Sequence, residues 1–465
     1  MKNIKIQIEK KSQSIVIDKN GNLVDPSEYI NDSQNFDPKL KASLDFKILV
    51  EREALGIGNK EILDKSIVQP EYLNYAHKLG FRWEQNAPIG FMSCDYKANL
   101  IMRLVKEYAR ECALNIGIPI YENSGSRVFD MSHEVVKAYA NLYGERLLSS
   151  DIGNDRKIVF GYDGSYPQFN LASQYRMSYK QLPFAHFSLA ECYRNEQSGE
   201  CMLFYRGRQF NMPDLHPYFK NIEESWDGFI KIEKQILKVA RDINREFVIS
   251  GCVSSPKYFE MYKDEIKQIA VRNNQDILVE ILPVGSSKYW IINFDYKIID
   301  AMSQSREISC IQIDVENAKR LGIFYVDKDN SKKNPIIIHS AVSGGIERYL
   351  YMLFDNFQNN FPLWLHPIQL RLIPVGEKHI KFCEDLLEKH KNLQIRIDID
   401  DRSESVSKKV KFAKESFIPN IFVIGDNEVN LLSELDILLQ NIQKQIKDKP
   451  FIPIQWPRLV SQQIV

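Results

Sequence analysis

The alternation of apolar and polar positions over residues 187–219 predicts two antiparallel strands joined by a polar loop. Gly199 supplies the turn between them. Because successive side chains point to opposite faces of a strand, charged residues at every second position share one face. The residues predicted to lie together are Arg194, Glu196, Arg206, Arg208, Asp214 and His216. Such a cluster usually binds a polyanion or a polar ligand, and the alternative is the solvated face of a hairpin.

Apolar residues recur at helical spacing over residues 93–116, which predicts a long amphipathic helix. Residues 220–247 show the same periodicity, and residues 277–314 are rich in strand patterns. Farther along, an apolar run ends in a glycine pair and a helix starts near Gly345. Glycines allow a ligand to approach the helix N-terminus, whose free N–H groups favour an anion. Arg348, one turn inside, is expected to face the same ligand.

Strand and helix patterns alternate after Pro362 and predict a small α/β domain. The second helix of this domain carries four lysines, which indicate either a local basic patch or a solvated face. These lysines are Lys408, Lys409, Lys411 and Lys414. At the other end of the chain, residues 3–24 predict a hairpin, and residues 26–67 alternate between helical pieces and loops. The N-terminal residues therefore do not form a catalytic unit of their own.

The composition is that of an ordinary soluble globular protein, with 44% hydrophobic and 26% charged residues in 465 positions. Lysine plus arginine and aspartate plus glutamate balance at 61 each, so RNA contacts would have to come from local patches. The seven cysteines are scattered without a CxxC motif, which favours reduced thiols in the cytoplasm. No long apolar run indicates secretion or a membrane span.

The predicted hairpin carries a specific motif: Arg-Asn-Glu, a Ser-Gly loop, and then Arg-x-Arg-x-Phe-x-Met-x-Asp-x-His. This order resembles motif 2 of the class II aminoacyl-tRNA synthetases, and within them the archaeal type of threonyl-tRNA synthetase. The segment Gly345–Arg348 resembles motif 3. The helix at residues 93–116 is similar to motif 1, the dimer interface, although Pro119 lies early and residues 124–130 stand where a proline-containing strand is expected.

The resemblance implies an α+β fold with two main parts. A class II catalytic domain built on an antiparallel sheet would occupy residues 68–360, after an N-terminal extension at residues 1–67. A C-terminal α/β domain at residues 361–465 is similar to the anticodon-binding domain of threonyl, prolyl, histidyl and glycyl synthetases. After residues 425–428 the chain continues directly into a helical pattern, so this domain looks trimmed by one pair of strands.

The resemblance also assigns roles in ATP and Mg²⁺ binding. Arg194 is expected at the α-phosphate and Glu196 at the adenine amino group, while Arg206 and Arg348 lie near the other phosphates. Glu307 would hold the magnesium ion, and Gln312 would lie near ATP and the terminal ribose of tRNA.

The amino-acid pocket departs from the family. The family holds Zn²⁺ with one cysteine and two histidines; His216 and His339 match the histidines, but Ser165 stands at the cysteine position. A neutral hydroxyl is a much poorer zinc ligand than a thiolate, so either the metal is lost or Asp163 supplies an oxygen ligand. Two more pocket positions differ from the family pattern: Asn293 occupies the position of the usual lysine, and Gly345 that of the usual serine. Asp214, expected to bind the substrate amino group, is retained.

The function implied by the resemblance is an ATP-dependent aminoacyl-tRNA ligase of the threonyl type. It would act on an amino acid and tRNA as a cytoplasmic homodimer. No editing domain is expected in this chain, so a separate editing protein would remove errors. Three changes in one pocket favour an alternative, a paralogue that activates another amino acid for tRNA or a non-tRNA acceptor. A further alternative is a non-catalytic regulatory paralogue.

Overall fold

The computed structural model describes residues 11–37, 39–57, 71–356, 361–426 and 432–464. They divide into two compact units. The first falls within Met1–Pro70, Gln85–Phe91 and Ala109–Asp355, and the second within Glu71–Glu84, Met92–Tyr108 and Asn356–Val465.

The strands of the described residues follow the order of the chain. They are β1 (Gln13–Ile17), β2 (Leu23–Val24), β3 (Phe81–Trp83), β4 (Met92–Cys94), β5 (Ile120–Glu122), β6 (Val128–Asp130), β7 (Ser149–Asp151), β8 (Lys157–Phe160), β9 (Met177–Ser178), β10 (Phe184–Tyr193), β11 (Gln209–Phe219), β12 (Val248–Val253), β13 (Ile277–Ile281), β14 (Trp290–Ile299), β15 (Ser305–Asp314), β16 (Tyr325–Val326), β17 (Lys332–Lys333), β18 (Ile336–Ser340), β19 (Leu370–Pro374), β20 (Ile397–Ile399) and β21 (Ile421–Ile424).

The α-helices of the described residues are α1 (Pro26–Asn31), α2 (Lys41–Leu49), α3 (Glu71–Lys78), α4 (Tyr96–Leu114), α5 (Glu134–Ala140), α6 (Ser165–Ala172), α7 (Ile222–Arg241), α8 (Pro256–Met261), α9 (Lys263–Asn273), α10 (Asn317–Arg320), α11 (Ile346–Phe354), α12 (Ile380–Lys389), α13 (Val406–Glu415) and α14 (Leu432–Ile446). The predicted long helices at residues 93–116 and 220–247 correspond to α4 and α7.

A ten-stranded sheet organises the described part of the first unit, in the order β2-β1-β13-β12-β14-β15-β18-β11-β10-β5. Its pairs are antiparallel except for β12 with β13 and β5 with β10. In the central strands, buried residues occur on both faces, so apolar and polar positions alternate only weakly. The reason is that helices such as α7 and α11 cover the sheet. The predicted α+β class with an antiparallel-rich catalytic sheet is confirmed.

Two sequence-based details differ from the structure. Residues 124–130 stand where a proline-containing strand is expected, but they contain only the short strand β6. The strand that follows a proline is β5, directly after Pro119, whose carbonyl accepts a hydrogen bond from the Ala185 amide at 2.8 Å. β6 instead joins a small sheet with β8 and β7. At the N-terminus, β1 pairs with β2 as a hairpin strand and also with β13, which makes it part of the main sheet. Residues 3–10 of the predicted hairpin lie outside the described residues.

The described part of the second unit contains a parallel three-stranded sheet in the order β20-β19-β21, with α12 and α13 as the connections. This matches the predicted strand and helix alternation. At least two of the four lysines of helix α13 have partners within the protein and are therefore less available to bind an anionic ligand. Lys409 is buried and its Nζ donates to the Pro374 carbonyl at 3.1 Å, while Lys408 pairs with Glu404 at 2.9 Å. Among the described residues, no helix is both long and apolar enough to cross a membrane.

Candidate active site

Arg194 follows the last residue of β10 and is held between two aromatic rings. Its guanidinium carbon lies 4.5 Å from the ring centroid of Tyr162 and 4.7 Å from that of Phe210. The Nε of Arg194 is buried without a hydrogen-bond partner. Stacking of this kind stabilises the cation while leaving its in-plane N–H groups free for an anion.

The strand β10 ends at Tyr193, earlier than the alternating pattern predicts. The reason is a new backbone partner: the Asn195 amide donates to the Arg146 carbonyl at 2.8 Å, so the chain leaves its ladder with β11. Glu196 therefore does not share a strand face with Arg194. It is 3% exposed and accepts a hydrogen bond from Arg146 Nη2 at 2.9 Å.

A polar cavity of about 380 Å³ opens beside Glu196. Arg206 lines it, 3.4 Å from the Glu200 carboxylate, in a loop before β11 and not on the strand itself. Arg208 reaches back and donates through Nε to the Glu196 carbonyl at 2.8 Å. The cavity thus brings together a buried carboxylate and arginines, a combination suited to a polar aromatic ligand with attached anions.

Glu307 on β15 and Arg348 on α11 form an ion pair. Arg348 Nη1 lies 3.0 Å from Glu307 Oε1 and also donates to the Glu307 carbonyl at 3.1 Å. Burial acts to raise the pKa of Glu307, but the positive charges of Arg348 and Lys297 outweigh it, with a smaller contribution from Arg194. The pKa of Glu307 is therefore lowered and its carboxylate is ionised.

Asp295 was missed by the sequence interpretation. Ligand atoms of Asp295, Glu307 and Cys310 lie within 4.8 Å of one another. Burial and the Glu307 charge raise the pKa of Asp295 to about 7, although Lys297 Nζ lies 3.8 Å from Asp295 Oδ2 and acts in the opposite direction. Burial and the same carboxylates raise the pKa of the Cys310 thiol well above its usual value, so it stays protonated. The two carboxylates offer the oxygen ligands that Mg²⁺ prefers.

A row of polar side chains crosses the middle of the sheet. Asn293 on β14 lies opposite Gln312 on β15, which lies opposite His339 on β18. Residues directly opposite each other in a sheet share a face. Asn293 Nδ2 donates to Asp295 Oδ1 at 2.9 Å, and the Tyr289 hydroxyl donates to Gln312 Oε1 at 2.6 Å. Three neighbouring strands therefore contribute to one surface.

The two predicted zinc histidines are adjacent. His216 Nε2 lies 3.2 Å from His339 Nδ1 and 3.1 Å from Ser165 Oγ at the start of α6. Burial and the neighbouring His339 hold the pKa of His216 well below its usual value, so its ring is neutral. The donor set fits a metal that accepts imidazole ligands, but it has a hydroxyl where a thiolate would supply negative charge.

Asp214 lies beside these donors. Its Oδ1 is 3.7 Å from His216 Nε2, and its Oδ2 accepts a long hydrogen bond of 3.4 Å from the Ser165 hydroxyl. Burial, reinforced by the Asp163 carboxylate, raises the pKa of Asp214 to about 7. A buried carboxylate with so few partners is suited to a cationic ligand group.

Asp163 has partners other than the histidines. Its two carboxylate oxygens accept hydrogen bonds from the hydroxyls of Tyr139 and Tyr143, and the Ser165 amide donates to Oδ1 at 3.0 Å. Tyr143 in turn stacks on Tyr162, with ring centroids 3.8 Å apart. Asp163 thus anchors the segment around α5 to the start of α6, and the ring contacts continue to Arg194.

The glycine pair before α11 brings this helix close to β15. Gly344 has a positive φ of 77°, and a Cβ there would lie 2.5 Å from the Ile308 carbonyl oxygen. Gly345 has more room, since its nearest contact for a Cβ is the Asn211 carbonyl oxygen at 3.7 Å. Glu347 fixes the helix by accepting hydrogen bonds from the backbone and side-chain nitrogens of Asn211.

This chain is similar to known proteins over most of its length. Residues 167–357 match the family model described as the tRNA synthetase class II core domain (G, H, P, S and T), and residues 369–436 match the anticodon binding domain. The threonine–tRNA ligase of Pyrobaculum calidifontis is 34% identical over 98% of this chain and 75% of the relative. That of Nanoarchaeum equitans is 35% identical over 90% of this chain and 68% of the relative.

This chain belongs to the threonine–tRNA ligase family. Membership makes it an aminoacyl-tRNA ligase of the class II type. Its fold is also similar to a crystal structure from Cryptosporidium parvum described as the RNA binding domain of threonyl-tRNA synthetase. The TM-score is 0.70 at 16% identity, over 80% of this chain and 98% of that one. The prolyl-tRNA synthetase of the same organism, complexed with halofuginone and AMPPNP, gives a TM-score of 0.61 at 12% identity, over 81% and 78% of the two chains.

Proposed function

We propose that this threonine–tRNA ligase relative activates an amino acid with ATP at the Arg194–Glu307–Arg348 site and transfers it to the 3′ end of tRNA. The observation that carries the proposal is the Glu307–Arg348 ion pair at 3.0 Å, with Arg194 near enough to contribute to the lowered pKa of Glu307. Cations and carboxylates from three separated segments converge, as a nucleotide triphosphate and its metal require.

In the first step, a carboxylate oxygen of the amino acid attacks the α-phosphorus of ATP, and the bond to the leaving pyrophosphate breaks. Both groups are negative, so the protein must neutralise and align them. Arg194, held flat between Tyr162 and Phe210, would bind the α-phosphate. Arg206 and Arg348 would bind the other phosphates, and Glu196 would accept from the adenine amino group, with Gln312 near the ribose. Glu307 and Asp295 would hold Mg²⁺, which when bound supplies positive charge that offsets the negative charge of the triphosphate.

The amino acid we propose is threonine or a close β-hydroxy analogue. Asp214 would bind its amino group, since this buried carboxylate has few other partners. His216, His339 and Ser165 would face its side chain, with or without a zinc ion between them. Asn293 and Gly345 would complete the pocket. Asp163 would act indirectly, because its hydrogen bonds to Tyr139, Tyr143 and the Ser165 amide fix the start of α6.

The pocket changes support a second candidate, a paralogue that activates a different amino acid. The specific observation is Ser165 at the position where the family has its cysteine, combined with an unpartnered buried oxygen on Asn293. ATP–pyrophosphate exchange across the twenty amino acids separates the two candidates. Exchange stimulated by threonine supports the first, and exchange with another amino acid alone supports the second.

Arg194→Gln tests the site that both candidates share. We expect exchange with the best amino acid to fall at least about 100-fold, because one transition-state contact is lost. Arg156→Gln is the matched control, since that arginine is exposed and pairs with Asp130. Unchanged exchange in Arg194→Gln would contradict the role proposed for Arg194. Absence of exchange and of ATP binding in the parent protein would instead support a non-catalytic regulatory paralogue.

The partners we propose are tRNA, a second copy of this chain and a separate editing protein. The short edge strand β5 supports a homodimer, because its central residue Tyr121 is 62% exposed and, among the described strands, β5 pairs with β10 along one edge only. The scattered cysteines, which form no CxxC motif, are consistent with a cytoplasmic location. Light scattering measures the dimer directly, and aminoacylation of tRNA with serine, followed by deacylation with added proteins, tests for editing in trans.

A further inference from the structure

A short turn near the N-terminus lies against the strands β14 and β15. Directly after α2, Val50–Ala54 form a single π-helical turn, a feature that often occurs at functional sites. Val50 is fully buried in the same apolar cluster as Ile299 at the end of β14. Arg52 Nη1 donates a hydrogen bond to Gln304 Oε1, between β14 and β15, at 2.8 Å. Apolar packing and a hydrogen bond therefore fix this turn on the sheet.

Glu53 projects from the turn to an ion pair with Lys297 on β14. Lys297 Nζ lies 2.9 Å from Glu53 Oε1 and 2.8 Å from Oε2. The Ser305 hydroxyl, at the start of β15, donates to Glu53 Oε1 at 2.8 Å. The side chains of Lys297 and Glu53 are 13% and 31% exposed. A pair with these partners and this burial has a defined geometry, unlike most ion pairs in open solvent.

Lys297 shares a face of the sheet with the two carboxylates proposed to hold Mg²⁺. It follows Asp295 by two positions on β14 and lies opposite Glu307 on β15. Residues two apart on a strand, and residues directly opposite each other, point to the same face. Lys297 Nζ is 3.8 Å from Asp295 Oδ2. The ammonium group is therefore close enough to compete with a divalent cation for these carboxylates.

Glu53 limits this competition. It accepts hydrogen bonds from Lys297 Nζ through both carboxylate oxygens, whereas the distance from Nζ to Asp295 exceeds that of a hydrogen bond. A lysine ammonium is a compact charge on a flexible chain, so without this partner it can turn towards other anions nearby. Opposite charges a few ångströms apart in a partly buried site attract strongly. Glu53 thus holds the ammonium away from the carboxylates on the same face.

We propose that Glu53 is a positioning residue of the nucleotide site. By holding Lys297, it leaves Asp295 and Glu307 available for the divalent cation that accompanies ATP. Glu53 does not contact the nucleotide; it acts only through Lys297. The N-terminal turn is therefore a working part of the site. Because this proposal rests on the function proposed above, its test measures nucleotide binding and does not depend on turnover.

Binding of the ATP analogue AMPPNP to the full chain, measured by calorimetry over a range of free Mg²⁺ concentrations, gives the Mg²⁺ concentration for half-maximal binding. Glu53→Gln should raise this concentration at least about fivefold, because the released ammonium pairs with the carboxylates. Lys297→Gln should lower it about fivefold, because the competing cation is gone. The double variant should lie within about twofold of the parent protein, since the two residues act on each other.

Glu51→Gln is the matched control. Glu51 belongs to the same turn but pairs with Lys47 of α2 at 3.8 Å, so its replacement should leave the Mg²⁺ dependence unchanged. If the ion pair of Glu53 and Lys297 served only to fasten the turn, both single variants would shift the Mg²⁺ dependence in the same direction. Shifts in opposite directions are specific to competition between charges.

Shifts in the same direction, or no shift in Glu53→Gln, would overturn the proposal. Weaker AMPPNP binding by Lys297→Gln at saturating Mg²⁺ would also overturn it, because Lys297 would then be a phosphate ligand. The parent protein keeps the two levels apart. Mg²⁺-dependent AMPPNP binding that Glu53→Gln does not change removes this inference alone, whereas absence of AMPPNP binding by the parent contradicts the proposed function as well.

Discussion

The ring of Tyr162 lies against the guanidinium of Arg194, with 4.5 Å between the ring centroid and the guanidinium carbon. Phe210 covers the opposite side at 4.7 Å. The arginine expected at the reacting phosphate is thus positioned by aromatic faces and not by a carboxylate. An acidic partner would compete with ATP for the N–H groups, whereas an aromatic ring does not.

Replacing Tyr162 by leucine should therefore slow activation. A desolvated cation–π contact contributes about 2 kcal/mol, which corresponds to a rate decrease of about 10- to 30-fold. Tyr162→Phe keeps the ring and should retain exchange within about threefold. The measurement is ATP–pyrophosphate exchange at saturating amino acid, with thermal unfolding to check that both variants fold. Equal loss in both variants would mean that the hydroxyl matters and the ring contact does not.

The two tyrosines on Asp163 should differ in importance. Tyr143 stacks on Tyr162, but Tyr139 packs on Tyr166, with centroids 4.6 Å apart. Tyr143→Phe removes a hydrogen bond that fixes the ring supporting Tyr162, so we expect a larger fall in kcat than for Tyr139→Phe. A few-fold difference follows if the hydrogen bond contributes about 1 kcal/mol to the position of the ring. Comparison of kcat and KM for ATP in both variants measures it, and a purely structural role would give equal values.

The glycine pair before α11 allows a matched comparison. Gly345→Ser should fold normally, because the added Cβ would meet its nearest atom at 3.7 Å. Gly344→Ala should be destabilised by at least about 1–2 kcal/mol, since φ is positive and the Cβ would clash with the Ile308 carbonyl. Urea unfolding of both variants measures the difference. Comparable stability in the two would contradict the described approach of α11 to β15.

His366 in the second unit should make stability depend on pH. Burial lowers its pKa to about 4, and its Nδ1 donates to the Phe417 carbonyl at 2.9 Å. An unfolded histidine titrates near about 6.5, so between these values the unfolded chain binds more protons. The stabilisation from neutral His366 is therefore complete above about pH 6.5 and is lost as the pH falls towards 4, by up to about 3 kcal/mol.

His366→Asn provides the check, because its amide can still donate to the Phe417 carbonyl but does not titrate. Urea unfolding at pH 7.5 and pH 5, followed by near-ultraviolet circular dichroism, should show a smaller loss on acidification for the variant than for the parent. An identical loss in both proteins would assign the pH dependence to other groups.

The periodicity of apolar residues along the chain was sufficient to locate the strands and helices next to the candidate site. The alternation over residues 187–219 locates β10 and β11, and the patterns after Pro362 locate the strands and helices of the second unit. These elements follow local rules, because each buries a repeating apolar face. The resemblance assigned Glu307 and Arg348 to one ATP site, and in the structure the two side chains form an ion pair; their roles in that site stay a prediction.

What the sequence could not predict depends on partners far away in the chain. Asp295 joins Glu307 only because β14 and β15 pair in one register. The sequence gives no sign that the Asp163 carboxylate has partners. In the structure, the hydroxyls of Tyr143 and Tyr139, 20 and 24 positions earlier, donate hydrogen bonds to its two oxygens. The early end of β10 likewise depends on the Arg146 carbonyl, which no local pattern indicates.

The polar row from Asn293 through Gln312 to His339 limits how the length of this chain can vary. Its members depend on the pairing of β14, β15 and β18, and strand side chains change face with every residue. A single deletion in the turn between β14 and β15 would shift Gln312 and Cys310 to the opposite side together. The proposed nucleotide and amino-acid contacts would be lost together, so insertions and deletions in related chains should fall in loops that do not set this register.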